Sequence, residues 1–539
     1  MSHSLHLAFA AVTAFVSAPA LDAQTWEPIS PDYTNVRGVN YIPTYPSIWN
    51  QSPMPPGFQD CATSFAIWWF YDPSGGTASD VDQQLGYLAS IGVNTVRVWL
   101  SHLAWSAEEL ANPGQDAYAA KFADFLDRCA AHNIYVIACL WDSHGEVPVY
   151  NTQPQLSHNN LGAQYWISNP GPVLLPLMVD ELEGTGDPPV AHRSAVAYLH
   201  DVLGAGQGRT ELLLWDAMNE PAVVQGDPNK HTALVLETLD FIKSNYPGEQ
   251  TTVGMAGWIN HTNTIAASPH LDVLSLHPYV HSREGWDHHV ALASGSRAGA
   301  FGKPLLANEC GSPGGDLTMP YGQTIEYAAG VVWDWSPTGS NPAPVQGIGF
   351  CLMQAMMGWP NGRNPYHVGN GIFFHDGTVR AIDDAQPLVD AAAAQGIPLP
   401  AVSFTVKAEG AADYVPFESP LPHGACLDEI EDYITNSNVA TATKAELETL
   451  LKLIGRLMTF NLVMPLGHGA SEGLGGWAVP PVLPEILGGS APKLPFWACL
   501  LGCAETYLKL NDLVSARTML SVLQGEAFQY LGQLNGPNP

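Results

Sequence analysis

Short apolar runs alternate with amphipathic segments over most of the chain. Runs such as NTVRVWL and IYVIACLW are almost continuously hydrophobic, whereas segments such as VDQQLGYLASIG (81–92) repeat hydrophobic residues every three or four positions. A continuous apolar run is typical of a strand that is buried on both faces, and the wider spacing is typical of a helix packed on a sheet. The alternation therefore predicts a parallel β-sheet that is covered by helices.

The number of strand-like runs favours one parallel architecture over the others. Between about residues 35 and 400 the runs are NVRGVNY, NTVRVWL, IYVIACLW, LLLWDAMNE, TTVGMAG, VLSLHPY, PLLANEC and GIGFCLM. Eight repeats of strand and helix fit a closed (β/α)8 TIM barrel. A Rossmann sheet would need a glycine-rich turn after its first strand, and RGVNYIPTYPSIW contains none. We therefore expect an α/β protein with a (β/α)8 barrel domain at residues 30–400.

The two ends of the chain depart from this pattern. Residues 1–23 contain an apolar stretch of signal-peptide length, closed by the small residues Ala18-Pro19-Ala20, and predict a secreted or periplasmic protein. The alternative for this stretch is a buried N-terminal helix. Residues 401–424 are predicted as a linker, and 425–539 as a mainly helical C-terminal domain of unknown role. No segment is long and apolar enough to predict a membrane span.

Composition narrows the class of partner. The chain has 51 acidic and 20 basic residues, with a formal charge of −31. A field of this sign repels nucleic acid and anionic membrane surfaces, so we expect a neutral ligand. Eight cysteines in 539 residues do not form a disulfide scaffold, and no Cys/His group has zinc spacing. Cys499 and Cys503 lie four apart in a predicted helix, and the sequence leaves their pairing open.

Polar and aromatic side chains collect where the strand-like runs end. In a TIM barrel these ends converge on one mouth, where the chemistry takes place. A single histidine at a strand end is more often structural, but the coincidence over successive strands favours a site. The residues concerned are Arg97, His144, Asn219, Glu220, Trp258, His277, Tyr279 and Glu309.

With these motifs, residues 35–400 resemble a clan A glycoside hydrolase, in particular glycoside hydrolase family 5 and its cellulase-like relatives. Asn219-Glu220-Pro221 is similar to the acid/base motif on the fourth strand, and Ala307-Asn308-Glu309 is similar to the nucleophile strand. The phrases GVNYIPTYPS, VDQQLGYLASIGVNTVRVWLS and GIFFHDGTVR are also similar to those of the cellulase-like group.

The resemblance implies a function and a role for each motif residue. Glu220 would be the acid/base and Glu309 the nucleophile of a retaining β-glycoside hydrolase that needs no metal or cofactor. The implied substrate is a neutral β-linked polysaccharide of glucan or mannan type, cut within the chain as by a cellulase. The alternatives are an exo-acting β-glycosidase on oligosaccharides and a non-catalytic glycan-binding barrel, although the presence of both glutamates argues against the latter. The implied supporting residues are Arg97, His144, Asn219, His277 and Tyr279.

Aromatic residues near the strand ends are predicted to line a sugar-binding groove. Where family 5 usually has a tryptophan at the end of the eighth strand, this chain has Gln354, and Trp359 is the predicted substitute. The histidine-rich stretch at 277–290 is predicted as a solvated loop rather than a metal site. The other predicted groove residues are Tyr41, Trp141, Trp258 and Tyr279.

Overall fold

The computed structural model describes most of the predicted barrel. The described residues are 26–49, 67–142, 169–171, 174–186, 193–221, 228–256, 260–280, 282–294, 302–311, 320–338, 341–356 and 371–407. The predicted signal peptide, the predicted C-terminal helical domain and the pair Cys499 and Cys503 lie outside these ranges. Export and a separate helical domain therefore stay predictions.

Eight of the ten strands in the described residues form one parallel sheet. Its hydrogen-bonded order is β5-β4-β3-β2-β1-β10-β7-β6, and β8 and β9 pair with each other in an antiparallel hairpin. The strands are β1 (Arg37–Asn40), β2 (Thr95–Trp99), β3 (Tyr135–Asp142), β4 (Leu212–Asn219), β5 (Thr251–Gly254), β6 (Leu274–Ser275), β7 (Leu305–Cys310), β8 (Val332–Trp335), β9 (Ala343–Gln346) and β10 (Gly349–Leu352).

Hydrogen bonds also join the two end strands of this sheet. The Val273 amide, next to β6, donates to the Thr251 carbonyl in β5 at 3.1 Å, and the His277 amide donates to the Met255 carbonyl at 3.0 Å. The sheet is therefore a nearly closed barrel of eight parallel strands. This confirms the predicted (β/α)8 architecture.

Helices separate the consecutive strands of the barrel, as the sequence pattern predicts. In α4, for example, the buried residues recur at three- and four-residue intervals. All eight residues of β3 are buried because helices cover the outer face of the sheet. The helices are α1 (Pro46–Trp49), α2 (Gly76–Ser90), α3 (His102–Ala111), α4 (Ala117–Ala131), α5 (Leu175–Leu182), α6 (Ala195–Gly206), α7 (Pro228–Asn245), α8 (Asn260–Ala266), α9 (Arg283–Ser294), α10 (Tyr321–Gly330) and α11 (Ile382–Ala394).

Three features differ from the sequence-based expectation or add to it. The hairpin of β8 and β9 precedes the last barrel strand and was not predicted. Most of the histidine-rich stretch forms α9 rather than a solvated loop, because Trp286 and Val290 are buried on one face of the helix.

The first part of the predicted linker pairs with the barrel, since the Val379 amide donates to the Thr405 carbonyl at 2.9 Å and the Lys407 amide donates to the Val379 carbonyl at 3.1 Å. The barrel unit therefore extends at least to Lys407.

Among the described helices, none combines the length and the apolar content that a membrane crossing requires.

Candidate active site

The two glutamates that the sequence singles out face each other at the carboxyl end of the barrel. Glu220 follows β4 directly and Glu309 lies in β7, and both side chains are buried. One carboxylate oxygen of each glutamate and one ring nitrogen of His277 lie within 4.8 Å of one another. The parallel strands therefore bring together two carboxyl groups that are far apart in the sequence.

Each oxygen of the Glu309 carboxylate accepts a short hydrogen bond. Arg97 Nη1 donates to Oε2 at 2.7 Å, and the Tyr279 hydroxyl donates to Oε1 at 2.6 Å. Burial and the neighbouring Glu309 raise the pKa of Tyr279 well above its ordinary value, so the phenol keeps its proton and remains a donor. The guanidinium and the phenol hydroxyl therefore fix the position of both oxygens of this carboxylate.

Arg97 lies fully buried in β2 and has polar partners on every side. Its Nε donates to Asp216 Oδ2 at 2.9 Å, Nη2 donates to Asn219 Oδ1 at 2.7 Å, and Nη1 also donates to Asn40 Oδ1 at 3.0 Å. A buried guanidinium is tolerated only when its charge and its N–H groups are matched in this way. The carboxylates of Asp216 and Glu309 supply the opposite charges.

Glu220 has a different environment from Glu309. Burial raises its pKa well above the ordinary value, and the nearby carboxylates of Glu309 and Asp142 add to the rise, although Arg97 opposes it. Its backbone φ of 45° lies in the left-handed region, which a non-glycine residue adopts at a cost of about 1–3 kcal/mol and mostly at functional sites. Glu220 therefore has the properties of a protonated acid.

His277 connects Glu220 to the body of the barrel. Its Nδ1 lies 2.6 Å from Glu220 Oε1, and its Nε2 lies 3.0 Å from Asn308 Oδ1. Burial and the positive charge of Arg97 lower the pKa of His277 well below its ordinary value. The imidazole is therefore neutral at physiological pH.

The structure places six of the predicted residues in one network. Tyr279 is in this network, and the predicted groove residues Tyr41 and Trp141 are not. His144, Trp258 and Trp359 lie outside the described residues, so their roles stay predictions. The six that come together are Arg97, Asn219, Glu220, His277, Tyr279 and Glu309.

Two of the predicted groove residues are instead part of the packing between barrel and helices. Trp141 is fully buried, with its indole N–H on Thr238 of α7 at 2.9 Å and its ring 4.9 Å from that of Tyr198 in α6. Tyr41 is also buried and donates to Gln84 of α2 at 3.0 Å. The sequence places both near strand ends but does not show on which side of the barrel wall the ring lies.

Four polar residues of the network were missed in the sequence. Asn40 and Asp142 end β1 and β3, so the strand-end argument would have found them. Asp216 and Asn308 lie within apolar runs, where a polar residue indicates a buried partner. The network includes Asp142 because Asn219 Nδ2 donates to it at 3.1 Å.

The spacing of Glu220, His277 and Glu309 would also suit a divalent cation. Arg97, however, already neutralises Glu309 at 2.7 Å. A second positive charge beside that guanidinium would be repelled, so the donor set fits a metal poorly. A reaction without a metal or cofactor stays a prediction.

The chain is similar to solved family 5 glycoside hydrolase structures. GH5_18 from Streptomyces cattleya, solved with GlcNAc, has 16% identity and a TM-score of 0.44, over 74% of this chain and 90% of that one. The endo-1,4-beta-mannanase from Rhizomucor miehei has 14% identity and a TM-score of 0.38, over 59% and 91%. The exo-beta-1,4-mannosidase Op5Man5 from Opitutaceae bacterium strain TAV5 has 16% identity and a TM-score of 0.39, over 67% and 59%. No family model and no curated protein matches the chain.

Proposed function

We propose that this protein is a retaining β-glycoside hydrolase that works by double displacement. The observation that carries the proposal is the close pair of unlike carboxyl groups, Glu220 with a raised pKa and Glu309 bonded to Arg97 and Tyr279. Oxygens of the two groups lie within 4.8 Å of each other. Retaining enzymes have carboxyl groups about 5–5.5 Å apart, whereas inverting enzymes need about 6.5–9.5 Å to fit a water between substrate and base.

In the first step, Glu309 attacks the anomeric carbon while Glu220 gives its proton to the leaving oxygen. The glycosidic C–O bond breaks and an ester bond forms between the sugar and Glu309. Arg97 and Tyr279 orient the attacking carboxylate through their bonds to its two oxygens. Asn219 Nδ2 has two hydrogens, and Asp142 accepts one of them, so the other can donate to a sugar hydroxyl.

In the second step, Glu220 acts as the base. Esterification removes the negative charge of Glu309, which is one cause of the raised pKa of Glu220, so that pKa falls while the intermediate exists. The Glu220 carboxylate then takes a proton from water, the water oxygen bonds to the anomeric carbon, and the ester bond to Glu309 breaks. Both glutamates return to their starting protonation states.

For the substrate we propose a neutral β-linked glucan or mannan, cut within the chain. The net charge of −31 and the acidic site favour a neutral glycan over a polymer of uronic acids. A glucan or mannan chain cannot enter a cell, so an enzyme that cuts it must be exported, as residues 1–23 predict. The lengths of the products distinguish endo from exo cleavage, since exo action releases only short sugars from the first turnover.

The experiment that tests the proposal follows product stereochemistry and covalent trapping. The protein is incubated with β-glucan, glucomannan and aryl β-glucosides and β-mannosides, and ¹H NMR identifies the anomer that forms first. We expect the β anomer first, and a 2-deoxy-2-fluoro glycoside should label Glu309, as read by peptide mass spectrometry. The α anomer first, or a label on another residue, would contradict the mechanism.

Two variants complete this test. Glu309→Ala should abolish turnover without unfolding the protein, and azide should restore part of the cleavage because a small anion fits the space left by the carboxylate. Glu326→Gln removes an exposed glutamate on α10 and is the matched control, expected to keep the wild-type rate. Full activity of Glu309→Ala would rule out its role as nucleophile.

A further inference from the structure

A continuous chain of hydrogen bonds joins Asp216, inside the barrel, to Glu220 at the mouth. Asn308 Nδ2 donates to Asp216 Oδ2 at 3.1 Å, Asn308 Oδ1 lies 3.0 Å from His277 Nε2, and His277 Nδ1 lies 2.6 Å from Glu220 Oε1. All four side chains are buried. This chain of hydrogen bonds therefore contains two residues, Asp216 and Asn308, that the mechanism above does not use.

The partners of Asp216 determine which group donates and which accepts in each of these hydrogen bonds. Its Oδ2 accepts from Arg97 Nε at 2.9 Å and lies 2.8 Å from Arg97 Nη2, and its Oδ1 accepts from the Gly254 amide at 2.9 Å. Arginine and a backbone amide can only donate, so both oxygens of Asp216 are acceptors. Burial raises the pKa of Asp216, but the charge and the hydrogen bond of Arg97 oppose this rise and stabilise the ionised form. The amide nitrogen of Asn308 must therefore face Asp216, and its amide oxygen must face His277.

The orientation of Asn308 in turn fixes the tautomer of His277. Because Nε2 faces an amide oxygen, Nε2 carries the ring hydrogen and donates it. A neutral imidazole has only one such hydrogen, so Nδ1 has a lone pair. A short contact of 2.6 Å between this lone pair and Glu220 Oε1 requires a proton on the carboxyl group, since two lone pairs would repel each other.

We infer that Asp216 and Asn308 are positioning residues that lock His277 as the Nε2–H tautomer and thereby keep Glu220 protonated between turnovers. The inference deepens the proposed function and rests on it for the role of Glu220 as acid. Asp216 acts from about the middle of β4, two side chains away from the group that it controls. A proton on Glu220 at rest is what the first step of glycoside cleavage needs.

Gly254 permits this arrangement because it has no side chain. A Cβ at this position would lie 2.8 Å from both Arg97 Nη2 and His277 Nε2, and 3.2 Å from Asp216 Oδ2. Only glycine lets the guanidinium and the imidazole approach the β5 backbone this closely.

Other titratable groups also face this chain of hydrogen bonds and contribute to the electrostatic potential around it. Burial raises the pKa of the cysteine thiols among them, so these stay neutral at physiological pH. Burial lowers the pKa of His289 to about 4, with a smaller effect of His288, so His289 is also neutral. The groups are Arg97, Cys139, Asp142, Tyr279, His289, Glu309 and Cys351.

The first test reads the tautomer directly. The full chain is labelled with ¹⁵N-histidine, and the ring signals of His277 are assigned by their absence in His277→Gln. We expect a protonated Nε2 and an unprotonated Nδ1 at pH 7. A protonated Nδ1, or a doubly protonated ring, would overturn the inference. This measurement needs no turnover, so it stands even if the protein cleaves no substrate.

The second test removes the link between Asp216 and His277. In Asn308→Leu the Nε2–H loses its acceptor, so the Nδ1–H tautomer becomes accessible and can donate to an ionised Glu220. The pKa of Glu220, read from its ¹³C-carboxyl signal, should then fall by about one unit or more, a tenfold change in its proton affinity. The basic limb of the kcat/KM profile should shift to lower pH by the same amount.

Asn245→Leu is the matched control, because Asn245 is exposed on α7 and its side chain donates to the Phe241 carbonyl of the same helix. It should leave the Glu220 signal and the pH profile unchanged. An unchanged Glu220 titration in a folded Asn308→Leu protein would show that Asn308 only fills space. If the ¹³C titration shifts but no glycoside is cleaved, the proposed function fails while the positioning role survives.

Discussion

Single residues decide the chemistry of this site through their nearest partners. Glu220 and Glu309 are the same residue type on the same edge of one barrel, yet one lies against a neutral imidazole and the other against a guanidinium and a phenol. In the proposed mechanism, environment rather than residue type separates the acid from the nucleophile, since a buried carboxyl group responds mainly to burial and to neighbouring charge.

Gly254→Ala tests how tightly the network is packed at the residue scale. The added methyl group would meet Arg97 and His277 at 2.8 Å, so one of them must move. We expect a loss of about 1–3 kcal/mol in the free energy of unfolding, as for other overpacked sites, together with a fall in kcat. Urea denaturation and steady-state kinetics measure the two effects.

The control for this variant is Gly248→Ala, where an added Cβ has no neighbour within 4 Å. It should change neither stability nor rate appreciably. Wild-type kinetics in Gly254→Ala would mean that the guanidinium and imidazole positions are not critical.

At the scale of elements, the barrel wall separates residues that look equivalent in the sequence. Trp141 ends one strand-like run as Asn219 ends another, but Trp141 packs against α6 and α7 whereas Asn219 points to the mouth. Asp142, the next residue along β3, lies on the site side and accepts from Asn219 Nδ2 at 3.1 Å, because successive side chains of a strand point to opposite faces of the sheet.

Trp141→Phe distinguishes a packing role from a sugar-binding role. The variant keeps an aromatic ring but loses the bond from the indole N–H to Thr238. We expect a loss of about 1 kcal/mol or somewhat more in stability, with an unchanged KM, because the ring lies between barrel and helices. A KM raised at least tenfold at unchanged stability would place Trp141 in the groove after all.

At the scale of the whole molecule, the last segment that the structure describes, residues 401–407, is bonded to the barrel. Lys407 Nζ forms an ion pair with Asp376 at 2.8 Å and lies over the Phe374 ring at 4.6 Å. Together with the backbone bonds of Thr405 and Lys407 to Val379, these contacts connect residues 401–407 to the turn that precedes α11.

A variant that ends at Lys407 should therefore fold and keep the wild-type kcat/KM, because every residue of the site precedes its end. A variant that ends at Ile397 lacks the contacts with Val379 and Asp376 and should have a lower Tm. Thermal unfolding and activity measurements on both variants make the comparison. Aggregation of the variant that ends at Lys407 would show that residues 408–539 and the barrel form one unit.

The response of stability to pH is also a property of the whole fold. Folding lowers the pKa of His277 and lowers that of His289 to about 4, from an ordinary value near 6.5. Between pH 6.5 and 4 the unfolded chain therefore binds protons at these two histidines that the folded chain does not bind. The stability of the fold consequently decreases as the pH is lowered through this range. The raised pKa of Glu220 has the opposite sign, since its contribution is present at low pH and is lost as pH rises through that pKa.

His289→Gln isolates one part of this effect without touching Glu220. The variant should lose less stability than the wild type between pH 6.5 and 4.5, as measured by Tm. The exposed neighbour His288 has the smaller effect on the pKa of His289, so His288→Gln should change the slope less than His289→Gln does. Identical slopes for all three proteins would show that His289 binds protons equally in the folded and unfolded chains.

The sequence pattern is sufficient to predict the barrel and the close approach of Glu220 and Glu309. Eight continuous apolar runs between amphipathic segments can bury both faces of a sheet only when helices cover it, and parallel strands must end at one mouth. Because Glu220 follows the fourth strand-like run and Glu309 lies near the end of the seventh, that geometry brings the two residues together.

The side of the barrel wall on which each strand-end ring lies, and the difference between the two carboxyl groups, depend instead on contacts between distant parts of the chain. Trp141 packs between the barrel and the helices rather than in the predicted groove, and Tyr41 packs against the helical layer. The roles of Asp216 and Asn308 depend on hydrogen bonds to residues on other strands, tens of positions away. Local pattern cannot contain such information, because the direction of a buried hydrogen bond is set by all the groups that surround it.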